Sequence, residues 1–276
     1  MIPERGSLLT HTSSRIVYVP GLSRKILLEG AMIRIRIILL VTLCAAISIS
    51  LKTASASATE RFEYVLLWNG LTAGVASLES VTRGDRMELS STISSTPPIS
   101  VVYTVNDRVV SIVRRAAGGS GIGLPEKYHI TIREGRHSRD REYRFDYRTR
   151  LITYIDNERS ERAEFALSAP VFDPLSSIYH IRTLPLAVGK STSVMVFDNK
   201  RIYAMEVRVL RREVVRTPAG EFSTIMVHPV MQGEGFFSRK GELYLWLTDD
   251  ALRMPVQIRS KIKIGTITGQ LTKIVR

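Results

Sequence analysis

Few residues of this chain combine the types and the spacing that catalysis requires. Asp249 and Asp250 form an adjacent acidic pair beside the aromatic segment 243–247. Paired carboxylates act as acid and base in glycoside hydrolysis, but that reaction needs carboxyl groups roughly 5 to 10 Å apart across a cleft. Adjacent residues in a turn point apart, so we interpret this pair as a turn between two strands. The spacing predicts no catalytic residue and leaves open only a triad assembled from distant positions.

Histidine and glycine spacing does not favour a metal or nucleotide site. The histidines beyond residue 58 lack the His-x-His or His-Glu-x-x-His spacing that brings two ligands to one ion. These histidines are His129, His137, His180 and His228. The glycine-rich run 118–123 precedes Leu124-Pro125 and a strand, not the helix that a phosphate cradle needs. We therefore expect no metal and no cofactor, and we interpret the run as a loop.

Aromatic side chains supply the candidate ligand-binding residues. Trp246 and Tyr244 share one face of a strand, and Phe236 and Phe237 end a glycine-rich stretch. These four are the candidate ligand-binding residues, although for the two phenylalanines we favour loop anchoring over contact with a membrane or ligand. Both faces of segment 243–247 are apolar, so the strand is expected to be covered on both sides. Trp246 is then either a core residue or a residue of a ligand cleft.

The elements that position these residues follow an export signal. A short basic stretch from Met32 precedes an uncharged apolar run over 37–51, and overlapping Ala-x-Ala sites end at Ala58. This order is typical of a secretory signal peptide. We predict a signal peptide over 32–58, cleaved after Ala58, and a periplasmic location, with residues 1–31 a misannotated or disordered extension. The apolar run is shorter than the roughly 20 residues that span a bilayer, which disfavours an uncleaved anchor.

Charge and cysteine content limit the classes of partner. The chain has 39 Lys+Arg, 26 Asp+Glu and a formal net charge of +13, and a mature chain from Thr59 keeps 32 against 24, or +8. Its single cysteine, Cys44, lies inside the apolar run, so the mature chain is expected to lack disulfides. Basic excess suits nucleic acid, an anionic membrane surface or simple solubility. Export disfavours nucleic acid, and the oligomeric state stays open.

Arginines and acids alternate along several segments. Examples are Arg139-Asp140-Arg141-Glu142 and residues 158–162. We interpret them as solvated faces of strands and turns, with contact to anionic lipid or lipopolysaccharide as the alternative.

Hydrophobic residues recur with a period of two from Arg61 onwards, which predicts antiparallel strands. The expected fold is mainly β: a single curved antiparallel sheet or open β-barrel of about a dozen strands with one short helix, in one domain over 59–276. Asn69-Gly70 predicts a hairpin turn. Asp173-Pro174 predicts the N-terminus of the helix. Segment 99–115 is interpreted as two strands bent at Asn106-Asp107.

The later half of the chain also resembles a known family. The resemblance lies in residues 173–182, Leu184-Pro185-Leu186, Gly189, 217–222, 245–250, 253–256 and Gly265, with Tyr64, Trp68-Asn69-Gly70 and Ala73-Gly74 near the start. Together they are similar to the bacterial domain of unknown function 3108 family, in the same order over nearly all of 60–274. This resemblance implies an exported envelope protein without an assigned activity, and it supplies no catalytic residues.

Two functions from different classes follow. We favour a non-catalytic periplasmic binder of a hydrophobic or lipidic envelope component, held in an apolar cleft between a curled sheet and the helix. The alternatives are an envelope hydrolase acting on glycan or lipid, and a module that binds a protein partner. A carrier needs an apolar cavity, whereas an enzyme needs clustered histidines or carboxylates in a polar pocket.

Overall fold

The computed structural model describes residues 58–115, 122–230, 242–262 and 265–276, which fall within one compact unit, Ser55–Arg276. The strands are β1 (Ala58–Trp68), β2 (Leu71–Arg83), β3 (Arg86–Ser95), β4 (Asn106–Arg115), β5 (Ile122–Glu134), β6 (His137–Asp146), β7 (Leu151–Asp156), β8 (Glu161–Ala166), β9 (Ser191–Asp198), β10 (Arg201–Thr217), β11 (Gly220–Val230), β12 (Glu242–Thr248), β13 (Pro255–Ile262) and β14 (Gly265–Val275). Two helices accompany them in the described residues, α1 (Ile99–Val102) and α2 (Pro174–Ile181).

All fourteen strands belong to one sheet, in the order β8-β7-β6-β5-β4-β3-β2-β1-β14-β13-β12-β11-β10-β9. Strands that follow one another along the chain pair antiparallel, except β8 with β9, and β1 pairs antiparallel with β14. The first and last strands therefore meet in the middle of the sheet, while β8 and β9 form its edges. The predicted single antiparallel sheet is confirmed, and the described residues form fourteen strands where about a dozen were expected.

The sheet curls without closing into a barrel. Phe197 on edge strand β9 packs edge-on against Tyr143 and Phe145 of β6, with ring centroids 5.4 and 5.8 Å apart. It also contacts Phe165 on the other edge strand, at 6.2 Å. The two edges thus approach through side chains rather than through a hydrogen-bonded ladder.

Helix α2 lies across the open side of the curl and packs against β3, β4, β5 and β9. Its Leu175 and Tyr179 join the apolar cluster of the sheet's inner face, the face that carries Tyr128, Tyr143 and Tyr154. In the described residues these side chains fill the space between sheet and helix where we expected an apolar cleft. The helix therefore completes the core.

Asp173 caps α2, as its sequence predicts. Its carboxylate accepts hydrogen bonds from the backbone N–H groups of Leu175 and Ser176, each at 2.9 Å. The Ser111 hydroxyl on β4 donates to the other carboxylate oxygen at 2.6 Å. Asp173 is fully buried, so one side chain both starts the helix and ties it to the sheet.

Segment 99–115 differs from the prediction of two strands. Residues Ile99–Val102 form α1, and β4 begins only at Asn106. Pro97 and Pro98 precede the segment, and proline has no N–H to donate to a sheet ladder. The Ser100 N–H instead donates to the Thr96 carbonyl, which turns the chain into α1.

Neither helix of the described residues has the length and hydrophobicity to cross a bilayer.

The structure describes the predicted Asn69-Gly70 turn and one end of the glycine-rich run 118–123. Asn69 and Gly70 both have positive φ, 48° and 89°, as the predicted two-residue hairpin turn between β1 and β2 requires. In the run 118–123, Gly123 lies inside β5 rather than in a loop, and residues 118–121 lie outside the described residues.

Candidate functional site

Turns from separate hairpins meet at the end of the sheet that carries Asn69-Gly70. The β5–β6 turn is joined to the β3–β4 connection because the Gly135 N–H donates to the Thr104 carbonyl at 2.8 Å. Gly135 has a φ of 58°, and an added Cβ would lie 3.0 Å from the Tyr103 ring, so both the turn and this contact favour glycine. The β7–β8 turn joins the same end through Asn157 N–H and the Asp140 carbonyl, at 2.8 Å.

A polar pocket of about 260 Å³ opens between these turns. We call it the arginine pocket, and its lining residues are Arg136, His137, Ser138, Arg139, Arg141, Asp156, Glu158 and Arg159. Four guanidinium groups face two carboxylates, so with His137 neutral the lining carries a net charge of +2. Such a lining suits an anion.

The alternation of β6 explains how a nearly neutral sequence makes a basic pocket. Successive residues of a strand face opposite sides, and β6 pairs with β5 without a bulge. Arg139 and Arg141 therefore share the inner face with Tyr143, which belongs to the core. Asp140 and Glu142 lie on the outer face. The four residues have no net charge as a sequence segment, but the strand places the two arginines on one face of the sheet and the two acids on the other.

The outer-face acids have their own cationic and polar partners. Asp140 accepts hydrogen bonds from Asn157, at 2.6 Å, and contacts Nε2 of His129, at 2.8 Å. Glu142 pairs with Lys127 and Arg144. These carboxylates are consequently held away from the pocket arginines.

Among the described residues that line the pocket, Asp156 pairs with one guanidinium group, that of Arg141. Arg141 Nε donates to its carboxylate at 3.0 Å, and the Tyr154 hydroxyl donates to the same oxygen at 2.9 Å. Burial raises the pKa of Asp156, but these hydrogen bonds and one from the Arg159 N–H outweigh burial and hold that pKa below its usual range. Asp156 is therefore an ionised structural partner of Arg141.

Three pocket arginines keep free guanidinium groups. Within the described ranges, the Arg136, Arg139 and Arg159 side chains form no ion pair and no hydrogen bond. Arg139 is half-buried and the other two are exposed. A further cation, Lys200 in the β9–β10 turn, lies 4.1 Å from the Tyr154 ring centroid. Positive charge from both edges of the curled sheet thus gathers at this end.

An apolar surface adjoins the arginine pocket. Val101 and Val102 of α1 are 83% and 89% exposed, and Tyr103 beside them is 49% exposed. We call these three residues the apolar tip. Because Tyr103 packs on Gly135, the residue before Arg136, the tip and the pocket are joined through one turn. Adjacent exposed apolar side chains of this kind are a mark of interaction surfaces.

Two of the four predicted ligand-site residues, Trp246 and Tyr244, lie away from the arginine pocket. Trp246 and Tyr244 are on the face of β12 opposite to Leu243, Leu245 and Leu247, which pack with Ile181 of α2. Trp246 is 2% exposed, and all three leucines are buried, so the prediction that this strand is covered on both faces is confirmed. Phe236 and Phe237 lie outside the described residues.

Trp246 makes a hydrogen bond through its indole N–H and a cation–π contact through its ring. Its Nε1–H donates to the Glu213 carboxylate at 2.6 Å, and the Arg259 guanidinium lies 5.0 Å from its ring centroid. Tyr244 is half-buried and stacks on His228, at 4.5 Å. Donation from Trp246 lowers the pKa of Glu213. The geometry gives Trp246 a packing role on the face of β12 opposite to the three leucines.

Asp249 and Asp250 occupy the β12–β13 turn, as predicted. Asp250 accepts hydrogen bonds from the N–H groups of Leu252 and Arg253, and Asp249 pairs with Arg212 and Arg253. Among the described residues, no three His, Cys, Asp or Glu side chains cluster as metal ligands would.

Sequence reasoning did not select the arginine pocket. The signal was present in Arg139-Asp140-Arg141-Glu142 and in residues 158–162, but summing charge along the chain hid it. Assigning each residue to a strand face would have placed Arg139 and Arg141 together, whereas the closeness of the β5–β6 and β7–β8 turns follows only from the sheet order.

Comparison with known proteins places the fold and leaves the activity open. Residues 63–272 match the model of the family described as "Protein of unknown function (DUF3108)", so the chain belongs to that family. A solved structure from Brucella abortus, a β-barrel-like protein of domain of unknown function DUF1849, is similar with a TM-score of 0.52 and 9% identity, over 78% of this chain and 96% of that chain. A Bacteroides fragilis protein with a YmcC-like fold matches with a TM-score of 0.29 and 11% identity, over 79% and 95%. No curated protein matches the chain.

Proposed function

We propose that this protein is a non-catalytic periplasmic binder of a lipidic envelope component, and that it docks on an anionic lipid surface through the apolar tip and the arginine pocket. One observation carries the proposal: Val101 and Val102 are 83% and 89% exposed beside a pocket with three unpaired arginines. The proposed periplasmic location rests on the signal over 32–58. The first strand begins at Ala58, so cleavage after that residue would leave β1 almost whole.

The apolar tip supplies a hydrophobic contribution to docking. Fully burying a valine side chain gains about 1.5 to 3 kcal/mol, and a bilayer interface would cover these two valines together with the Tyr103 ring. Tyrosine suits this position because its ring is apolar and its hydroxyl reaches the headgroup layer. The tip therefore presents the side chains that an interfacial anchor uses.

The arginine pocket supplies the electrostatic contribution. Each Lys or Arg near an anionic membrane surface contributes about 1 kcal/mol, and the attraction falls off within a Debye length. Arg136 is exposed in the turn that contacts the tip, and Arg159 is exposed in the β7–β8 turn at the same end of the sheet, so both would face headgroups when the valines enter the interface. Docking should accordingly require anionic lipid and weaken with salt.

The pocket chemistry favours binding over hydrolysis. A general acid needs a carboxyl group whose pKa lies near the working pH, which requires a raised value. The pKa of Asp156 is lowered by its hydrogen bonds, so this carboxylate stays ionised beside Arg141. An anion-binding surface fits this arrangement better than an envelope hydrolase does.

Co-sedimentation with lipid vesicles tests the proposal. The protein should bind phosphatidylcholine vesicles that contain phosphatidylglycerol, and bind pure phosphatidylcholine vesicles much less. The paired substitution Val101→Asp with Val102→Asp should weaken binding by at least about tenfold, because two charges replace two apolar contacts. The control is Val214→Asp at an exposed position, 58%, on β10 near the opposite end of the sheet, which should bind as the parent does.

Equal binding by the tip variant and the parent would overturn the proposal. So would equal binding to neutral and anionic vesicles, since the arginines would then play no part. If the protein binds no vesicle but a Val101- and Val102-dependent protein complex is recovered from an envelope extract, the protein-partner alternative replaces this one.

A further inference from the structure

We propose that the arginine pocket binds a single phosphoryl group, supplied by a lipid headgroup or by free phosphate. This inference deepens the proposed function, on which its lipid source rests, by naming the anion that the docking surface recognises. The groups that would contact it are the guanidinium groups of Arg136, Arg139 and Arg159.

The three guanidinium groups come from two turns and one strand that line one pocket. Arg136 is in the β5–β6 turn, Arg139 is on the inner face of β6, and Arg159 is in the β7–β8 turn. Arg139 is half-buried and forms no ion pair within the described residues. A partly desolvated guanidinium without a partner is costly, and an anion would supply the missing hydrogen bonds.

Guanidinium geometry selects for phosphate. Arginine presents its donors in a planar fork that matches two oxygens of a phosphate or carboxylate, and phosphate offers a third oxygen to another arginine. A phosphomonoester carries about −1.5 to −2 charges at neutral pH. The lining has a net charge of +2, so a phosphomonoester would nearly neutralise it.

The size of the pocket favours one headgroup over a whole lipid. Its volume of about 260 Å³ is below the roughly 300–1,000 Å³ of pockets that enclose small molecules. The acyl chains would then remain in the bilayer beside Val101 and Val102. One pocket thus takes the phosphoryl group while the apolar tip contacts the lipid around it.

Isothermal titration calorimetry with inorganic phosphate tests the pocket without a membrane. Phosphate should bind in a one-to-one ratio. Arg139→Gln should weaken binding by about tenfold to a hundredfold, since a charged hydrogen bond contributes about 1.5 to 3 kcal/mol. Substitution of the half-buried Arg139 can also disturb the fold. Arg136→Gln, at an exposed position, is therefore the second variant, and it should weaken phosphate binding as well.

Two further variants make the test specific to this pocket. Glu158→Gln removes one of the two lining carboxylates and should tighten phosphate binding by about two- to fivefold. Arg148→Gln removes an exposed arginine from the β6–β7 turn at the opposite end of the sheet and should leave binding unchanged. Equal loss in Arg148→Gln and Arg136→Gln would show that phosphate responds only to net charge, and would overturn the assignment of the pocket.

Vesicles separate the two sources of the phosphoryl group. Phosphatidylcholine vesicles are given the same surface charge with phosphatidic acid, which exposes a phosphomonoester, or with oleate, which exposes a carboxylate. A lipid headgroup source predicts stronger binding to phosphatidic acid, and Arg139→Gln should remove that preference. Binding of inorganic phosphate without vesicle binding supports the site for free phosphate and overturns the membrane-docking proposal alone.

Equal binding to the two charged vesicles, together with no binding of inorganic phosphate, overturns the phosphoryl assignment and leaves docking on anionic lipid standing. A phosphate affinity that is the same in the parent, Arg136→Gln and Arg139→Gln overturns the assignment as well.

Discussion

Arg182 binds Glu60 through two parallel hydrogen bonds, with Nη1 and Nη2 2.8 and 3.0 Å from the two carboxylate oxygens. This pair joins the end of α2 to the first strand. The same guanidinium donates to the Arg253 carbonyl at 3.1 Å and lies 5.4 Å from the centroid of the Phe62 ring. One side chain therefore connects the helix, β1 and the β12–β13 turn.

Glu60→Gln should destabilise the fold by about 3 kcal/mol. The Arg182 and Glu60 side chains are only 12% and 21% exposed, and removing one partner of a largely buried pair leaves the other charge without compensation. Urea unfolding measures the change. The control is Glu221→Gln, whose pair with Arg216 is 55% and 85% exposed and should cost less than about 1 kcal/mol. Equal costs for the two variants would contradict a structural role for the Arg182–Glu60 pair.

Asp173→Ala should cost about 2 to 4 kcal/mol, because it removes a helix cap and leaves the buried Ser111 hydroxyl without its acceptor. Asp173→Asn should cost less, since asparagine also caps helices well. Thermal unfolding in calorimetry gives both values. Asp146→Ala is the matched control, because its carboxylate also accepts two backbone N–H bonds, from Arg148 and Thr149, but in an exposed turn where water replaces it. A cost for Asp146→Ala as large as that for Asp173→Ala would refute the importance of burial.

Trp246→Phe should lower stability by about 1 to 3 kcal/mol and leave vesicle binding unchanged. The substitution removes the Nε1–H donor and leaves the Glu213 carboxylate short of one hydrogen bond. Tyr244→Phe on the same strand loses only an exposed hydroxyl contact with Glu242 and should cost less than about 1 kcal/mol. Denaturant unfolding and vesicle co-sedimentation are measured on both. Loss of vesicle binding at full stability would favour the ligand role predicted from sequence for Trp246.

The sequence was sufficient for the sheet and for α2 because local patterns determine them. Period-two alternation predicted most strands, and Asp173-Pro174 located the helix, since capping depends on neighbouring residues alone. Strand β8 was not predicted, because its six residues carry three charges and only one aromatic, Phe165. Its pairing with β7 gives that segment the hydrogen bonds that its composition does not suggest.

The arginine pocket could not be predicted in the same way. Arg139 on β6 and Arg159 in the β7–β8 turn are 20 positions apart, and only the antiparallel order β5-β6-β7-β8 brings them together. The apolar tip was missed for a related reason. Val101, Tyr103 and Val105 alternate, which favoured a strand, whereas the bond from the Ser100 N–H to the Thr96 carbonyl turns residues 99–102 into α1.

The tyrosines of the inner core should make stability fall in alkali. Burial raises the pKa of each of Tyr64, Tyr128, Tyr143, Tyr147, Tyr154, Tyr179 and Tyr203. For Tyr154 burial and the hydrogen bond to Asp156 raise the pKa to about 12. An unfolded tyrosine ionises near ~10, so the folded state holds these protons more tightly. Their contribution to stability is complete below about pH 10 and is lost as the pH rises through the folded values.

Tyrosinate absorbance during alkaline titration measures this effect. Buried tyrosines should ionise together with unfolding, in one cooperative step above about pH 10, rather than singly. Tyr154→Phe removes one such group and should change the alkaline midpoint, whereas Tyr103→Phe, at a position that is 49% exposed, should change it less. Gradual ionisation near about pH 10 with circular dichroism unchanged would mean that water reaches these hydroxyls, and that the inner face is more open than the packing of Tyr143 against Phe197 indicates.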